Sequence, residues 1–297
     1  MSTVPEHLRG LVDDAAVFPP GNAPLADALD AHRSRDADTL AGSLVGTFVV
    51  DDQRLPDLAA AVGEARSTAG DEPLPVSVVV SGGAGALEPA VRWSAVDGLR
   101  LAGLEIAVRD SATGETRHNA RRVVAALDRL VTSGDLDDDV PVHVELPRLY
   151  GSPPTPDWFG ALDELGAADL RLKLRTGGTD ADAFPAPHEV AGCVEAALDR
   201  EMAFKCTAGL HHAVRHTDPA TGFTHHGFLN VLLATKAVLD GASVDDAARV
   251  LDDRDADGLA ARATPDVLTS ARRWFTSFGS CSVSEPLEDL RRLGLLP

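Results

Sequence analysis

"LRLKLRTGG", residues Leu170 to Gly178, is the stretch whose reading decides the fold. Leu170, Leu172 and Leu174 share one face of an extended chain, and Arg171, Lys173 and Arg175 share the other. An antiparallel strand with one face in water would read this way. The surrounding chain argues for a different setting, because short β-rich runs alternate with helical patterns. Strand candidates fall at 8–18, 43–50, 75–81, 101–108, 140–146, 170–176 and 202–209, with 274–282 as an eighth. Between them lie stretches such as "LPDLAAAVGEA", "ARRVVAALDRLV" and "HEVAGCVEAALDRE", with helical spacing of their apolar residues. Eight such units in 297 residues predict one α/β domain over 1–297, a (β/α)8 TIM barrel rather than a doubly wound sheet. No G-x-G-x-x-G or Walker loop follows the first strand, which weighs against a nucleotide-binding sheet. The eighth strand has an alternative, since "TPDVLTSARRWFTSF" also reads as one helix.

In a barrel the cations have a destination. Alternate residues of each strand point into the lumen, which opens at the strands' C-terminal ends. With Leu170, Leu172 and Leu174 toward the helices, Arg171, Lys173 and Arg175 face inward. The same parity puts Glu105 inside between Leu104 and Ile106, His143 and Glu145 inside beside Val142 and Val144, and Lys205 and Thr207 inside beside Phe204 and Cys206. Four consecutive strands thus aim Glu105, Glu145, Lys173 and Lys205 at one space. A purely structural lumen would hold apolar side chains there, or a buried ion-pair network. The lysines are also scarce. Of 27 basic residues only Lys173, Lys205 and Lys236 are lysine, so a retained lysine suggests a task that arginine cannot do, such as losing its proton.

Composition bounds the rest. A net charge of −19, spread along the chain, weighs against nucleic acid and anionic membranes as partners. No apolar run approaches a membrane span, and "MSTVPEHLRG" lacks a signal-peptide pattern. Cys193, Cys206 and Cys281 show no close pairing, so the expected compartment is the reducing cytoplasm.

Two ammonium groups and two carboxylates in a partly closed lumen suit Schiff-base chemistry. Desolvation and a neighbouring cation both favour a neutral amine, which can attack a carbonyl. From the fourth strand onward the chain resembles the deoxyribose-phosphate aldolase family of class I aldolases. "LKLRTGG" resembles that family's Lys-Thr-Ser-Thr-Gly segment, with Lys173 followed by Thr176 and Gly177. "FKCTAGLHH" offers Lys205 and Gly209 for its second lysine and glycine pair, "VHVEL" offers Glu145, and "FGSCS" (278–282) is similar to its Gly-Thr-Ser-Ser segment. "LVDDAAVF" is similar to its Leu-Ile-Asp-His-Thr segment and matches Asp13, and the fourth-strand aspartate falls at or near Glu105. The resemblance implies a carbon–carbon lyase on a (β/α)8 barrel, with Lys173 as nucleophile and Lys205 as its neighbour. Glu105, Glu145 and Asp13 then become proton-shuttle candidates, and no cofactor is implied.

The chain departs from that pattern where Arg175 replaces a small hydroxyl residue and where only one glycine follows Lys205. Substrate is therefore left as a small carbonyl or anionic compound, with phosphate recognition open. Its binding residues are expected to be Arg175, Gly177, Gly178, Gly209, His211, His212, Gly279, Ser280 and Ser282.

"HHAVRHTDPATGFTHH" has no counterpart in the family. It holds His211, His212, His216, His225 and His226, half of the ten histidines. They support an alternative: a hydrolase or lyase using a divalent metal such as zinc, with Asp14 or the lumen carboxylates completing the ligand set. A third reading is a non-catalytic barrel that binds a small anion. Its signature would be two lysines locked in salt bridges with no open pocket above them. A homo-oligomer is compatible with each reading.

The two lysines are expected to differ. Arg171 and Arg175 flank Lys173 on its inward row, about 6–7 Å away, whereas Lys205 has Ala203 and Thr207. Lys173→Arg should then abolish activity, and Lys205→Arg should keep part of it.

Overall fold

The alternating leucines and cations form β6 (Arg171–Arg175), one of eight parallel strands that close into a barrel. The computed structural model describes residues 4–35, 39–65, 72–108 and 115–297. The other barrel strands are β1 (Val12–Asp14), β2 (Val45–Asp51), β3 (Leu74–Val80), β4 (Leu99–Ala107), β5 (Val142–Glu145), β7 (Phe204–Thr207) and β10 (Phe275–Ser280). They follow one another around the wall in chain order, with β10 closing against β1 and β7. Strands β8 (His216–Thr217) and β9 (Thr224–His225) are a short antiparallel hairpin outside the barrel. The sequence expectation of a (β/α)8 barrel is met.

Strand parity is as expected. Leu172, Leu174, Val144, Leu104, Ile106, Phe204 and Cys206 are buried on the outer face against the helices. Large apolar side chains placed this way contribute about 1.5–3 kcal/mol each. The helices carry the matching apolar stripes. Thr155 caps helix Pro156–Gly166 by accepting from the Trp158 backbone N–H, with Pro156 opening the first turn. Helix Thr116–Ser133 ends at Gly134, whose φ of 78° turns the chain out of the helix. Among the described residues no helix is long and apolar enough to cross a membrane.

The eighth barrel strand is real, and the single-helix alternative fails. Helix Pro265–Arg272 stops, and Phe275–Ser280 enters the wall. A register shift between Phe275 and Ser277 sends both aromatic rings outward. Phe275 stacks on Phe204 at 5.3 Å between centroids, and Phe278 on Phe228 at 5.1 Å. That packing, invisible to helical periodicity, decides the segment. The first strand is also shorter than the 8–18 run suggests, because Gly10 turns the chain with φ 57° just ahead of it.

Candidate active site

The lumen holds a chain of alternating charges that climbs from floor to mouth. It begins at Asp13 on β1. Oδ1 accepts from the Thr47 backbone N–H and hydroxyl, both at 3.0 Å. Oδ2 accepts from Ser277 Oγ and Lys205 Nζ, both at 2.6 Å. Thr47 Oγ1 also shares a 2.7 Å hydrogen bond with Ser77 Oγ. Gly46 makes room for this arrangement, since a Cβ there would sit 2.6 Å from Asp13 Oδ1. Lys205 Nζ donates in turn to Glu105 Oε1 at 2.7 Å. The other oxygen of Glu105 lies 2.7 Å from Lys173 Nζ, which stands 3.5 Å from Glu145 Oε2. Glu145 is held by Arg175 through Nε (2.7 Å) and Nη2 (3.3 Å). Three cations and three carboxylates therefore alternate across β1, β7, β4, β6 and β5.

Burial sets how these groups ionise. Desolvation alone would strip the proton from Lys205, but Asp13 and Glu105 outweigh it and hold the ammonium above its ordinary value. Desolvation would likewise keep Glu105 protonated, yet Lys173 and Lys205 together hold it far below the usual carboxylate range. His143, on the same inward row, is pushed well below its normal value by burial and then by Lys205. Its Nε2 is buried without a hydrogen-bond partner, so the imidazole sits neutral beneath the ion chain.

Above Glu105 and Lys173 opens a cavity of about 370 Å³. Arg175, Gly177, Gly178, Thr207, Gly209, His211, Gly279 and Cys281 border it, with Phe18 and Val49 as apolar walls. Gly177 and Gly209 touch through their backbones: a Cβ on Gly177 would lie 2.8 Å from the Gly209 Cα, and Gly209 has φ 77°. No side chain larger than hydrogen fits either position, which explains both glycines.

Several expected residues lie elsewhere. Ser280 is buried and donates to the Ser282 backbone oxygen, while Ser282 Oγ pairs with Ser284; neither borders the cavity. Their small hydroxyls tie the β10 exit together, and Gly279 and Cys281 take the wall. His212 turns to Asp289 at 3.1 Å. Asp14 leaves the lumen altogether, since neighbours on a strand face opposite ways. It binds His32 (3.0 Å) and Arg35 (2.5 Å) on the helix side.

The histidine cluster separates into three jobs. His216 stacks on His225 at 5.1 Å and meets His212 edge-on at 4.5 Å. His226 is fully buried between the Pro185 carbonyl and Arg215, and burial pushes it down to about 4. His211 alone of the five borders the cavity. Among the described residues no three histidine, cysteine or acidic side chains gather as a ligand set. "TDPATGF" has the composition of a turn, and it closes a hairpin rather than continuing a helix that would put histidines on one face.

Residues not singled out from sequence are Thr47 and Ser277, which anchor Asp13, Ser77, which bonds Thr47, and Cys281. Inward parity on β2, β3 and β10 was the available signal for the first three.

No family model matches the chain, and no curated protein matches it. Among solved structures it is similar to deoxyribose phosphate aldolase from Aeropyrum pernix. That match has TM-score 0.53 and 13% identity, and it spans 96% of this chain and 92% of the other. Dihydropteroate synthase from Vibrio fischeri ES114 also aligns, with TM-score 0.44 and 11% identity over 99% and 97% of the two chains. At these identities the first likeness is one of fold, the TIM barrel.

Proposed function

We propose that this barrel is a Schiff-base lyase of the class I aldolase type, with Lys173 as its nucleophile. The observation that carries this reading is the asymmetry of the two lysines. Lys173 borders the 370 Å³ cavity; Lys205 does not, and is spent on Asp13 and Glu105. A barrel built only to hold itself together would leave no open space above its amine. Here that space exists and suits a small molecule.

A carbonyl held in the cavity reaches Lys173, the lysine that borders it. Once Lys173 gives its proton to Glu145 it adds to the carbonyl carbon. The same carboxyl returns the proton to the carbinolamine oxygen, which leaves as water and gives an iminium. Glu105, 2.7 Å away, then serves as counter-ion to the iminium as it did to the ammonium. Lys205 keeps Glu105 ionised and in place throughout. The iminium draws in the electrons of the bond between its α and β carbons. That bond breaks as the β-hydroxyl gives its proton to Glu145, which releases a carbonyl fragment and leaves an enamine on Lys173. Reprotonation and hydrolysis of the enamine free the amine. Glu145 is the further carboxylate within reach for proton transfer, oriented by Arg175. Arg175, 38% exposed at the side chain, also faces an anionic group on the substrate.

Borohydride reduction tests the reading directly. Incubation with a panel of two- to five-carbon aldehydes and keto acids should fix a mass on Lys173 equal to the carbonyl compound minus one oxygen. The absence of any adduct, or an adduct that persists in Lys173→Met, overturns it.

A further inference from the structure

The same cavity presents a second reactive group, beyond the exits of β7 and β10. Cys281 follows β10, and His211 follows β7; both border the space above Lys173. His211 Nε2 lies 3.7 Å from Cys281 Sγ, and His211 Nδ1 lies 2.8 Å from Glu285 Oε2. Glu285 sits in the first turn of helix Ser284–Arg292. The order is nucleophile, base, orienting carboxylate. With Nδ1–H donated to Glu285, Nε2 is free to take the thiol proton, and a 3.7 Å contact is of the length such pairs show before a substrate tightens them.

Two further facts single out this thiol. Burial works against a charged His211, but the Cys281 and Glu285 contacts prevail and raise it to about 8. Burial pushes Cys193 up to about 12 and Cys206 higher still, and neither borders this cavity. The chain after β1 also closes on Cys281. A Cβ on Gly21 would lie 2.9 Å from the Cys281 Cβ, so only glycine lets that loop cover the thiol.

We propose that Cys281, His211 and Glu285 form a second nucleophilic centre in this cavity, which adds reversibly to an aldehyde. Sγ–H gives its proton to His211 Nε2, and sulfur bonds to the aldehyde carbon. The π pair moves to oxygen, which recovers the proton from His211 to give a hemithioacetal. No redox partner is needed and nothing is lost. The choice of an aldehyde rests on reading Lys173 as a carbonyl-binding amine, because cleavage would leave a carbonyl fragment beside Cys281. The activated thiol stands without it.

Iodoacetamide alkylation at pH 7, followed by peptide mass mapping, reads both parts. Cys281 should react at least about tenfold faster than glutathione, with Cys193 and Cys206 silent. His211→Gln should remove that acceleration, and Glu285→Gln should remove part of it; His211→Asn is the substitute if the glutamine variant does not fold. Alkylation at the rate of an ordinary thiol, unchanged in His211→Gln, overturns the triad. Millimolar glycolaldehyde should slow alkylation in Lys173→Met as in the parent, and ethylene glycol should not. Protection that vanishes in Lys173→Met means that the amine held the aldehyde, which overturns the sulfur adduct. Protection that persists while borohydride traps nothing on Lys173 in the parent separates a failed lyase reading from a working thiol.

Discussion

Lys173 and Lys205 are register partners on adjacent strands and share one carboxylate, yet they end in different surroundings. The floor around Lys205 is closed. Its ammonium has two carboxylate partners, and Asp13 beneath it accepts from four donors on three strands. The mouth around Lys173 is open on one side to a cavity, and its second carboxylate is 3.5 Å away and claimed by Arg175. Charge balance is the same in both places; access is not. A buried ion pair gains little net stability against an apolar packing of equal volume, while losing one partner is costly. The floor therefore acts as a fixed electrostatic platform, and the mouth is where a ligand can exchange for a protein contact.

The largest expected effect breaks the comparison at its upper member. Lys173→Met should lower lyase turnover by at least about 10³-fold and abolish borohydride trapping. Lys173→Arg should do the same, because a guanidinium stays protonated. A Lys205→Met variant that keeps its fold but traps nothing, with trapping intact in Lys173→Met, would exchange the two assignments.

Next in size is the floor itself. Lys205→Met leaves buried Asp13 without its cation and Glu105 with Lys173 alone, which should cost about 3–5 kcal/mol. Thermal denaturation should then show a Tm lower by on the order of 10 °C. A Tm within a degree or two of the parent would mean that the platform is not what holds the lumen closed.

Arg175→Met sharpens the contrast between floor and mouth. Its side chain is 38% exposed, so the loss of its pair with Glu145 should cost under about 1 kcal/mol. The KM for an anionic carbonyl substrate should rise about tenfold, with a smaller change in kcat. Equal effects on Tm and KM would place Arg175 with the floor.

The smallest effect is in pH. Glu105 is depressed from 4.5, so its contribution is complete above that value and is lost only as pH falls well below it. Lys205 is raised from 10.5, so its contribution is complete below that value and is lost only as pH rises beyond it. The floor should thus be level across the neutral range. His211 is raised from 6.5 to about 8, so its contribution is full below 6.5 and fades as pH rises through about 8. Tm measured from pH 7 to 9 should decline by an amount equivalent to on the order of 1 kcal/mol, and His211→Gln should flatten that slope.

Much of this was legible in the chain. Alternation on β4, β5, β6 and β7 names Glu105, Glu145, Lys173 and Lys205 as inward residues, because a period of two leaves no choice once the outer face is apolar. Asp13 and Asp14 show the limit of that reading. Adjacent acids in "LVDDAAVF" look alike in sequence, yet one anchors the ion chain and the other binds His32 and Arg35 outside. The histidines show it again. Five rings within sixteen residues suggest one site, whereas a hairpin and a helix entry separate them.

The sequence by itself determined the barrel and the inward row of charges, since both follow from local periodicity and from the burial of one strand face. Only the tertiary structure decided which lysine meets open space, that Arg175 claims Glu145, and that Cys281 meets His211 and Glu285. Those outcomes depend on loops after β1, β6, β7 and β10 arriving at one mouth. Contacts between segments as far apart as 74 positions, as His211 and Glu285 are, leave no periodic trace in the chain.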